Sequence, residues 1–302
     1  MMQDTPRLSQ LGEDSVLQSL LRSAPPASPE LAVGPGDDCA VVSRDAQWDT
    51  LLKTDALVEG VHFTRDTAPE LIGRKALARA LSDVAAMAGL PEHALVTVMV
   101  HQSRPLALLT GIYNGLAALA GEFGVDLAGG EMTALPYDGL ALSVALTGRV
   151  ERGRAVLRSG GRPGDVLCVT GVLGGAFRSG HHLTFTPRIA LARQLVEQGM
   201  TPRAMMDLSD GLAVDLVRLA QASRCGFELI PDGLPCREGC TRQQALSDGE
   251  DYELLLALAP EQAALLPQHP ELGLTPIGRL VPGTAHTLSG GWQHFSSTPM
   301  PL

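Results

Sequence analysis

Apolar residues along this chain follow two spacings, one typical of helices and the other of strands. A spacing of three or four residues lines one face of a helix, whereas a short dense run suits a strand in a protein core. The helical spacing predicts helices at residues 8–22, 69–88, 106–123, 188–197, 212–222, 241–246 and 261–266. The dense runs predict strands at residues 39–43, 50–54, 94–100, 140–146, 166–170, 204–206, 227–230, 252–258 and 275–280.

Strands and helices alternate in both halves of the chain, which indicates an α/β or α+β fold. The 302 residues are enough for two domains of ordinary size. A polar, glycine-rich segment at residues 149–164 separates the two series of apolar elements. We therefore predict an N-terminal domain at residues 1–150 and a C-terminal domain at residues 151–302.

Short acidic turns accompany several of these apolar elements. In the first, Gly36, Asp37 and Asp38 run directly into apolar residues 39–42. An aspartate beside a glycine is most often a turn former or a helix cap. Repetition of the pattern favours a second interpretation, in which the carboxylates converge when the core forms and bind Mg²⁺ or Ca²⁺. The other turns are Thr54-Asp55 at the end of a predicted strand, Ser82-Asp83, Gly129-Gly130-Glu131, Asp207-Leu208-Ser209-Asp210 and Gly249-Glu250-Asp251.

Asp83 is the most informative of these residues because it lies inside an alanine-rich predicted helix. A carboxylate in such apolar surroundings must find a partner or face a cavity. The charge of the whole chain points the same way. Its net charge is -10, and its only lysines are Lys53 and Lys75. An acidic protein that handles an anionic substrate needs an intermediary charge, which a divalent metal supplies.

Several other classes of function are excluded or disfavoured. Without a basic stripe, the chain is not expected to bind nucleic acid. The apolar stretch 106–119 is interrupted by polar residues and glycine, so no membrane span is expected. Five cysteines, mostly in apolar runs, indicate reduced thiols and a cytoplasmic location. A GxxxxGK[ST] phosphate loop is absent. His181 and His182 have no carboxylate at helical spacing, and we predict that they are surface histidines.

The motifs, taken in order, resemble those of the thiamine-monophosphate kinase family. That family belongs to an ATP-binding superfamily that also includes aminoimidazole-ribonucleotide synthetase and selenophosphate synthetase. The resemblance runs nearly end to end, through residues 36–40, 54–63, 75–77, 81–87, 129–130, 158–160, 163–165, 207–212, 249–254 and 291–295. It implies ATP-dependent phosphorylation of thiamine monophosphate to thiamine diphosphate. It also implies a homodimer in which the N-terminal halves share a β-barrel, with a C-terminal α/β domain on each side.

The resemblance also implies roles for individual residues. Several Mg²⁺ ions would be held by Asp38, Thr54, Asp55, Asp83, Glu131, Asp207 and Asp210. The co-substrate ATP would lie along Gly130, Glu131, Arg158 and Ser209, and thiamine monophosphate would contact His62, Glu250 and Trp292. Asp83, Asp210 and Arg158 would act in catalysis, because phosphoryl transfer depends mainly on metal ions and cations that align the phosphate oxygens.

The chain also departs from the usual family pattern. Lys53 stands where the family usually has Ser, Ala80 where it has Asn, and Asp248 where it has Gly. Glu131 and Met132 replace an Asp-Thr pair, and Lys53 would place an ammonium where a metal ion would otherwise bind. Two alternatives therefore stay open: an ATP-dependent enzyme with a different phosphate acceptor, and a non-catalytic protein that binds thiamine phosphate or nucleotide.

Overall fold

The computed structural model of the chain describes residues 7–11, 13–230, 232–288 and 290–292. Within these ranges the strands form one sheet of six strands from the first half and one of five strands from the second half. Helices pack against both sheets, so the predicted mixture of α and β structure is confirmed. Residues 293–295 of the terminal motif lie outside the described residues.

The elements predicted from the sequence are present in the predicted order, and the structure adds strand β5 (Asp126–Leu135) and several short elements. The strands are β1 (Leu31–Val33), β2 (Ala40–Ser43), β3 (Trp48–Val58), β4 (Leu90–His101), β5 (Asp126–Leu135), β6 (Leu140–Glu151), β7 (Val166–Thr170), β8 (Ala204–Asp207), β9 (Gly226–Leu229), β10 (Leu254–Leu258) and β11 (Leu274–Val281). The α-helices are α1 (Glu13–Leu21), α2 (Pro69–Ala86), α3 (Leu106–Phe123), α4 (Ala176–Ser179), α5 (His181–Thr184), α6 (Ile189–Glu197), α7 (Leu212–Ala222), α8 (Arg242–Ser247) and α9 (Pro260–Ala263). Short 3₁₀ helices are found at Leu8–Gln10, Leu266–Gln268 and Pro270–Leu272.

The six-stranded sheet has the strand order β1-β2-β3-β6-β4-β5. Its neighbouring strands are antiparallel except for β4 and β5, which are parallel and are connected through helix α3. The five-stranded sheet has the order β8-β10-β7-β11-β9, and all of its neighbouring strands are antiparallel. Strand β8 therefore lies at an edge of the second sheet, where it contacts helix α2 of the first half.

Helix α2 is the central helix of the fold and is buried along most of its length. It packs against α3 and the inner face of the first sheet, and it also contacts β8, α5 and α6 of the second half. Two glycines bring α2 and α3 together. A Cβ atom on Gly73 would lie 1.8 Å from the carbonyl oxygen of Ile112, and one on Gly115 would lie 1.9 Å from that of Glu70. The backbones of the two helices are thus in direct contact, which places α2 firmly between the two halves.

Helix α3 bears on the expectation that no segment of the chain spans a membrane. It has 18 residues and is long and apolar enough, by length and composition alone, to cross a membrane. The polar residues that interrupt it do not bring it below that threshold. In this fold its buried face packs on α2, with Ile112, Leu116 and Leu119 in the core. Packing inside the protein therefore accounts for the apolar residues on this buried face.

Strand β3 is longer than the sequence predicts, and strand β5 is not predicted from the sequence. Strand β3 runs from Trp48 to Val58 and pairs with β6 over that whole length, so Asp55 lies within the strand and not at its end. Gly129, Gly130 and Glu131 lie in strand β5 and not in a turn. Strand propensity disfavours aspartate and glycine, but here pairing with neighbouring strands outweighs that preference.

Candidate active site

Three buried carboxylates meet between the two halves of the chain. Asp38 precedes β2, Asp83 lies in the last part of α2, and Asp207 ends β8. One oxygen atom from each lies within 4.8 Å of the others, and each residue is at most 6% exposed. The sequence prediction that acidic turns converge is therefore correct for these three residues, which we call the carboxylate cluster.

The donor set of the carboxylate cluster suits a hard divalent cation. The Oδ2 atom of Asp38 is buried and has no hydrogen-bond partner among the described residues. Burial and the nearby charge of Asp38 raise the pKa of Asp207 to about 7. Buried carboxylates that repel one another in this way are stabilised by a shared cation. Mg²⁺ is usually held by one or two carboxylates together with substrate phosphates, and these oxygen atoms can supply such ligands.

Two cations of the chain already contact the cluster. Arg158, in the segment between β6 and β7, donates hydrogen bonds from Nε at 3.2 Å and from Nη2 at 2.6 Å to Asp38 Oδ1. Lys53, on the inner face of β3, donates from Nζ to Asp83 Oδ1 at 2.7 Å. Asp207 instead accepts a hydrogen bond from Ser82 Oγ at 2.7 Å and forms no ion pair with lysine or arginine in the described ranges.

The remaining aspartates predicted as ligands have cationic partners nearby. Asp55 lies on the same inner face of β3 as Lys53, and Arg79 Nη2 is 3.1 Å from its Oδ1. Asp210 follows β8 in the same loop as Asp207 and pairs with Arg218. The backbone N–H of Trp292 donates to the carbonyl oxygen of Asp210 at 2.9 Å. That contact brings the end of the described chain to the rim of the carboxylate cluster.

A second group contains the residues predicted to bind the phosphate acceptor. The rings of His62 and Trp292 meet edge to face with centroids 6.4 Å apart. Glu250 is 2% exposed, and its backbone N–H donates to the carbonyl oxygen of Ser209 at 2.7 Å. His62 and Glu250 are joined by Lys75, whose Nζ donates to the His62 carbonyl oxygen at 2.6 Å and also contacts Glu250 Oε2. The structure therefore brings all three predicted residues to one side of the carboxylate cluster.

His182 corrects a second expectation. We predicted a surface histidine, but its side chain is 4% exposed, and its ring stacks on that of Phe177 with centroids 3.9 Å apart. Its Nδ1 lies 2.8 Å from Lys75 Nζ and 3.6 Å from Glu250 Oε2. Burial lowers the pKa of His182. It therefore belongs to the buried group around Lys75, whereas His181 is only partly buried.

Thr54 and Glu131 lie on the opposite face of the first sheet from the carboxylate cluster. Side chains alternate between faces along a strand, so Thr54 points away from the side on which Lys53 and Asp55 lie. Its Oγ1 is 3.4 Å from Ser143 Oγ, on the exposed side. Glu131 is in register with Thr97 and Ser143 and shares this outer face. Within one chain, these two residues are not brought to the cluster.

Gly130 lies in the row of residues that contains Asp55, but three strands away. The pairing runs from Asp55 to Val144, then to Val96, then to Gly130. At about 4.8 Å per strand the separation is roughly 14 Å. Gly130 and Glu131 line a cavity of about 320 Å³ together with Tyr113 of α3. This cavity and the carboxylate cluster are two distinct parts of the candidate site.

No role is predicted from the sequence for Tyr113, Lys75 or Ser82, which contact the candidate site. Tyr113 is an aromatic residue in an otherwise aliphatic predicted helix, and it is 38% exposed. Lys75 is one of two lysines and lies in an apolar helix, so the reasoning applied to Asp83 applied to it equally. Ser82 precedes Asp83, but its bond to Asp207 joins residues 125 positions apart in the chain, and local sequence carries no signal of that contact.

Both halves of the chain match known protein families. The family AIR synthase related protein, N-terminal domain, matches residues 36–150, and AIR synthase related protein, C-terminal domain, matches residues 162–290. Thiamine-monophosphate kinase of Rhodopirellula baltica is 36% identical over 291 residues, covering 89% of this chain and 88% of that protein. Thiamine-monophosphate kinase of Synechococcus elongatus is 31% identical, with 96% and 98% covered.

Solved structures agree with these matches. A structure described as "AaThiL complexed with AMPPCP and TMP" superposes with a TM-score of 0.84 at 30% identity, covering 97% of this chain and 100% of that chain. The hydrogenase maturation protein HypE of E. coli, at 21% identity and a TM-score of 0.67, shares the fold. With both domain families matched and three buried carboxylates between the two halves, the chain is an AIR-synthase-related protein. Within that class it belongs to the thiamine-monophosphate kinase family.

Proposed function

We propose that this chain transfers the γ-phosphoryl group of ATP to thiamine monophosphate, giving thiamine diphosphate and ADP. The observation that carries the proposal is the carboxylate cluster, which lies beside the group formed by His62, Glu250 and Trp292. The relative described with AMPPCP and TMP supports the choice of substrates. Phosphoryl transfer needs little covalent chemistry from the protein, so positioning and charge are what these residues must supply.

Asp38, Asp83 and Asp207 would line the Mg²⁺ site, with Asp55 and Asp210 at its edge. When bound, Mg²⁺ neutralises and aligns the phosphate oxygens during transfer. The Arg158 guanidinium, 2.6 Å from Asp38, faces the site as a fixed cation that can interact with phosphate. Ser209 lies in the loop between Asp207 and Asp210, where it can approach the same phosphates.

The cavity at Gly130, Glu131 and Tyr113 would receive another part of ATP. The separation between Gly130 and Asp55 suits an elongated ligand, whose phosphate chain would extend toward the carboxylate cluster. At the acceptor side, the Trp292 indole can stack on an aromatic ring or meet the thiazolium cation over its face. Lys75 neutralises Glu250, so we infer that Glu250 shapes this pocket while His62 and Trp292 make the ring contacts.

The direct test is product analysis by chromatography after incubation with ATP, Mg²⁺ and thiamine monophosphate. We expect thiamine diphosphate and ADP in equal amounts. ADP without thiamine diphosphate would contradict the proposed acceptor. Binding of thiamine monophosphate in a calorimeter without any turnover would contradict the assignment as an enzyme.

We further propose that the chain acts as a homodimer of two-domain subunits, with domains at residues 1–150 and 151–302. The outer face of the first sheet supports this, because Leu52 and Val58 on β3 and Leu95 on β4 are 43%, 37% and 50% exposed. A face of this kind is typical of an association surface. Light scattering coupled to size-exclusion chromatography should show a dimer that Leu95→Asp converts to a monomer. Leu265→Asp, at a 40% exposed position of the second half, is the matched control and should stay dimeric.

A cytoplasmic location is also part of the proposal. All five cysteines are free thiols in the structure, although none is fully exposed. Free thiols of this number are typical of a reducing compartment. Cell fractionation with an antibody to the chain would test the location, and recovery in an oxidising compartment would contradict it.

A further inference from the structure

Lys53 is positioned differently from the other cations near the carboxylate cluster. Its ammonium is 2.7 Å from Asp83 Oδ1, and that carboxylate is itself one of the three that converge. Arg158 contacts Asp38 from the segment between the domains, but Lys53 projects from the middle of β3 into the inner side of the sheet. The side chains of Lys53 and Asp83 are 22% and 8% exposed, so the pair is shielded from bulk solvent.

The position of the Lys53 ammonium is the position that a cation bound to Asp83 would take. Asp55 lies two residues further along the same face of β3, and its charge also acts on Lys53. An ammonium is a compact point charge with three donors, and it satisfies a buried carboxylate without a coordination shell.

We propose that Lys53 is a resident cation of the phosphoryl-transfer site, which neutralises Asp83 and takes the place of one divalent ion there. This inference rests on the proposed Mg²⁺ site, and it concerns how many ions that site holds. A divalent ion would then be shared by Asp38 and Asp207. The Oδ2 atom of Asp38 has no hydrogen-bond partner among the described residues, and the Asp207 carboxylate forms no ion pair with lysine there. The tethered ammonium would stay next to the reacting phosphates at any concentration of metal.

The test counts bound ions and does not depend on turnover. Mn²⁺ replaces Mg²⁺ as the probe, and the free Mn²⁺ signal is followed by electron paramagnetic resonance with a non-hydrolysable ATP analogue present. We expect Lys53→Ser to bind one more Mn²⁺ per chain than the unchanged protein. The double variant Lys53→Ser with Asp83→Asn should return to the original number, because the carboxylate that gained the ion is gone.

Arg279→Gln is the matched control for loss of a positive charge. Arg279 is 63% exposed and pairs with Glu228 on the second sheet. This variant should bind the same number of ions as the unchanged protein. An unchanged count in folded Lys53→Ser would overturn the proposal, as would an extra ion that persists in the double variant or appears in Arg279→Gln.

A second measurement covers the case in which Lys53→Ser does not fold. Crystals of the unchanged protein soaked in Mn²⁺ should give an anomalous peak between Asp38 and Asp207 and none within coordination distance of Asp83 Oδ1. A peak bound to that atom would overturn the proposal. Both measurements are independent of catalysis, so a failure to make thiamine diphosphate would count against the proposed reaction and leave the result on Lys53 standing.

Discussion

The ammonium of Lys75, on a helix of the first half, contacts the carboxylate of Glu250, in a loop of the second half, and both side chains are almost completely buried. The contact joins residues 175 positions apart. Removing only one member of such a pair lowers the free energy of unfolding, because the other charge then stays buried without a partner. This pair therefore joins the loop that carries Glu250 to helix α2.

We predict that Lys75→Met lowers the free energy of unfolding by about 3–5 kcal/mol, the usual effect of leaving one charge of a buried pair alone. Adding Glu250→Gln should recover a large part of that loss, because no buried charge then remains. Urea unfolding followed by circular dichroism measures both variants. The exposed pair of Arg279 and Glu228 is the control, and Arg279→Gln should cost less than about 1 kcal/mol. Equal losses in Lys75→Met and in the double variant would contradict the prediction.

The contact between α2 and α3 gives a prediction with its control on the same helix. Gly115→Ala would place a Cβ atom 1.9 Å from the carbonyl oxygen of Glu70, so the helices would have to separate. We expect a loss of about 1–3 kcal/mol in the free energy of unfolding. Gly121, also in α3, has no atom within 4 Å of a Cβ built on it. Gly121→Ala should stabilise the protein by about 0.5–1 kcal/mol through helix propensity. If both variants change stability in the same direction, close packing is not the reason for Gly115.

Much of this fold was predictable because local signals and tertiary structure agree. The bounds predicted for the elements at residues 106–123, 166–170 and 212–222 are the bounds of α3, β7 and α7. Asp83 was predictable as a site residue because a carboxylate in an alanine-rich helix needs a partner. The partner itself was not predictable, because Lys53 and Asp83 are 30 residues apart and only the packing of β3 on α2 joins them.

Two expectations about the site depend on tertiary pairing. Thr54 and Asp55 are both predicted to bind Mg²⁺, and they could turn to the same side only if the strand ended between them. Strand β3 continues to Val58, and adjacent residues of a strand face opposite ways. His182 was assigned to the surface because its partners, Lys75 and Glu250, are distant in sequence. In both cases the missing information is the tertiary pairing.

Asp251 provides a prediction on the pH dependence of stability. It accepts a hydrogen bond from the Gly174 N–H at 2.8 Å, with Arg237, Glu253 and His181 as its charged or titratable neighbours. Burial raises its pKa from 3.8 to about 7. Between pH 4 and pH 7 the folded protein therefore binds a proton that the unfolded chain has released, so this group's contribution to stability falls as the pH rises.

Asp251→Asn keeps a neutral acceptor for Gly174 and removes that dependence. We expect the stability of the variant relative to the unchanged protein to increase from pH 5 to pH 7, with a slope of at most about 1.4 kcal/mol per pH unit, and then to level off. Urea unfolding at a series of pH values measures the difference. Parallel stability curves for the two proteins would show that Asp251 is ionised throughout this range.

Substitution of Asp207 is expected to lower turnover while raising the free energy of unfolding. Its carboxylate lies with Asp38 and Asp83 but has no lysine or arginine as an ion-pair partner in the described ranges, and only the Ser82 hydroxyl donates to it there. Asp207→Asn removes a like charge from the cluster and keeps an oxygen for Ser82. Without metal we expect a gain of roughly 0.5–2 kcal/mol in the free energy of unfolding, as is common when repulsion in an active site is relieved. Turnover should fall by about a hundredfold or more, because a metal ion contributes several kcal/mol to such a transition state.

Thermal unfolding with and without Mg²⁺ should show stabilisation by the ion in the unchanged protein and much less in the Asp207→Asn variant. Glu261→Gln, at a side chain that is 72% exposed, controls for the loss of one negative charge and should change neither property. If Asp207→Asn lost stability and activity together, Asp207 would be a structural residue and the cluster would not be the metal site.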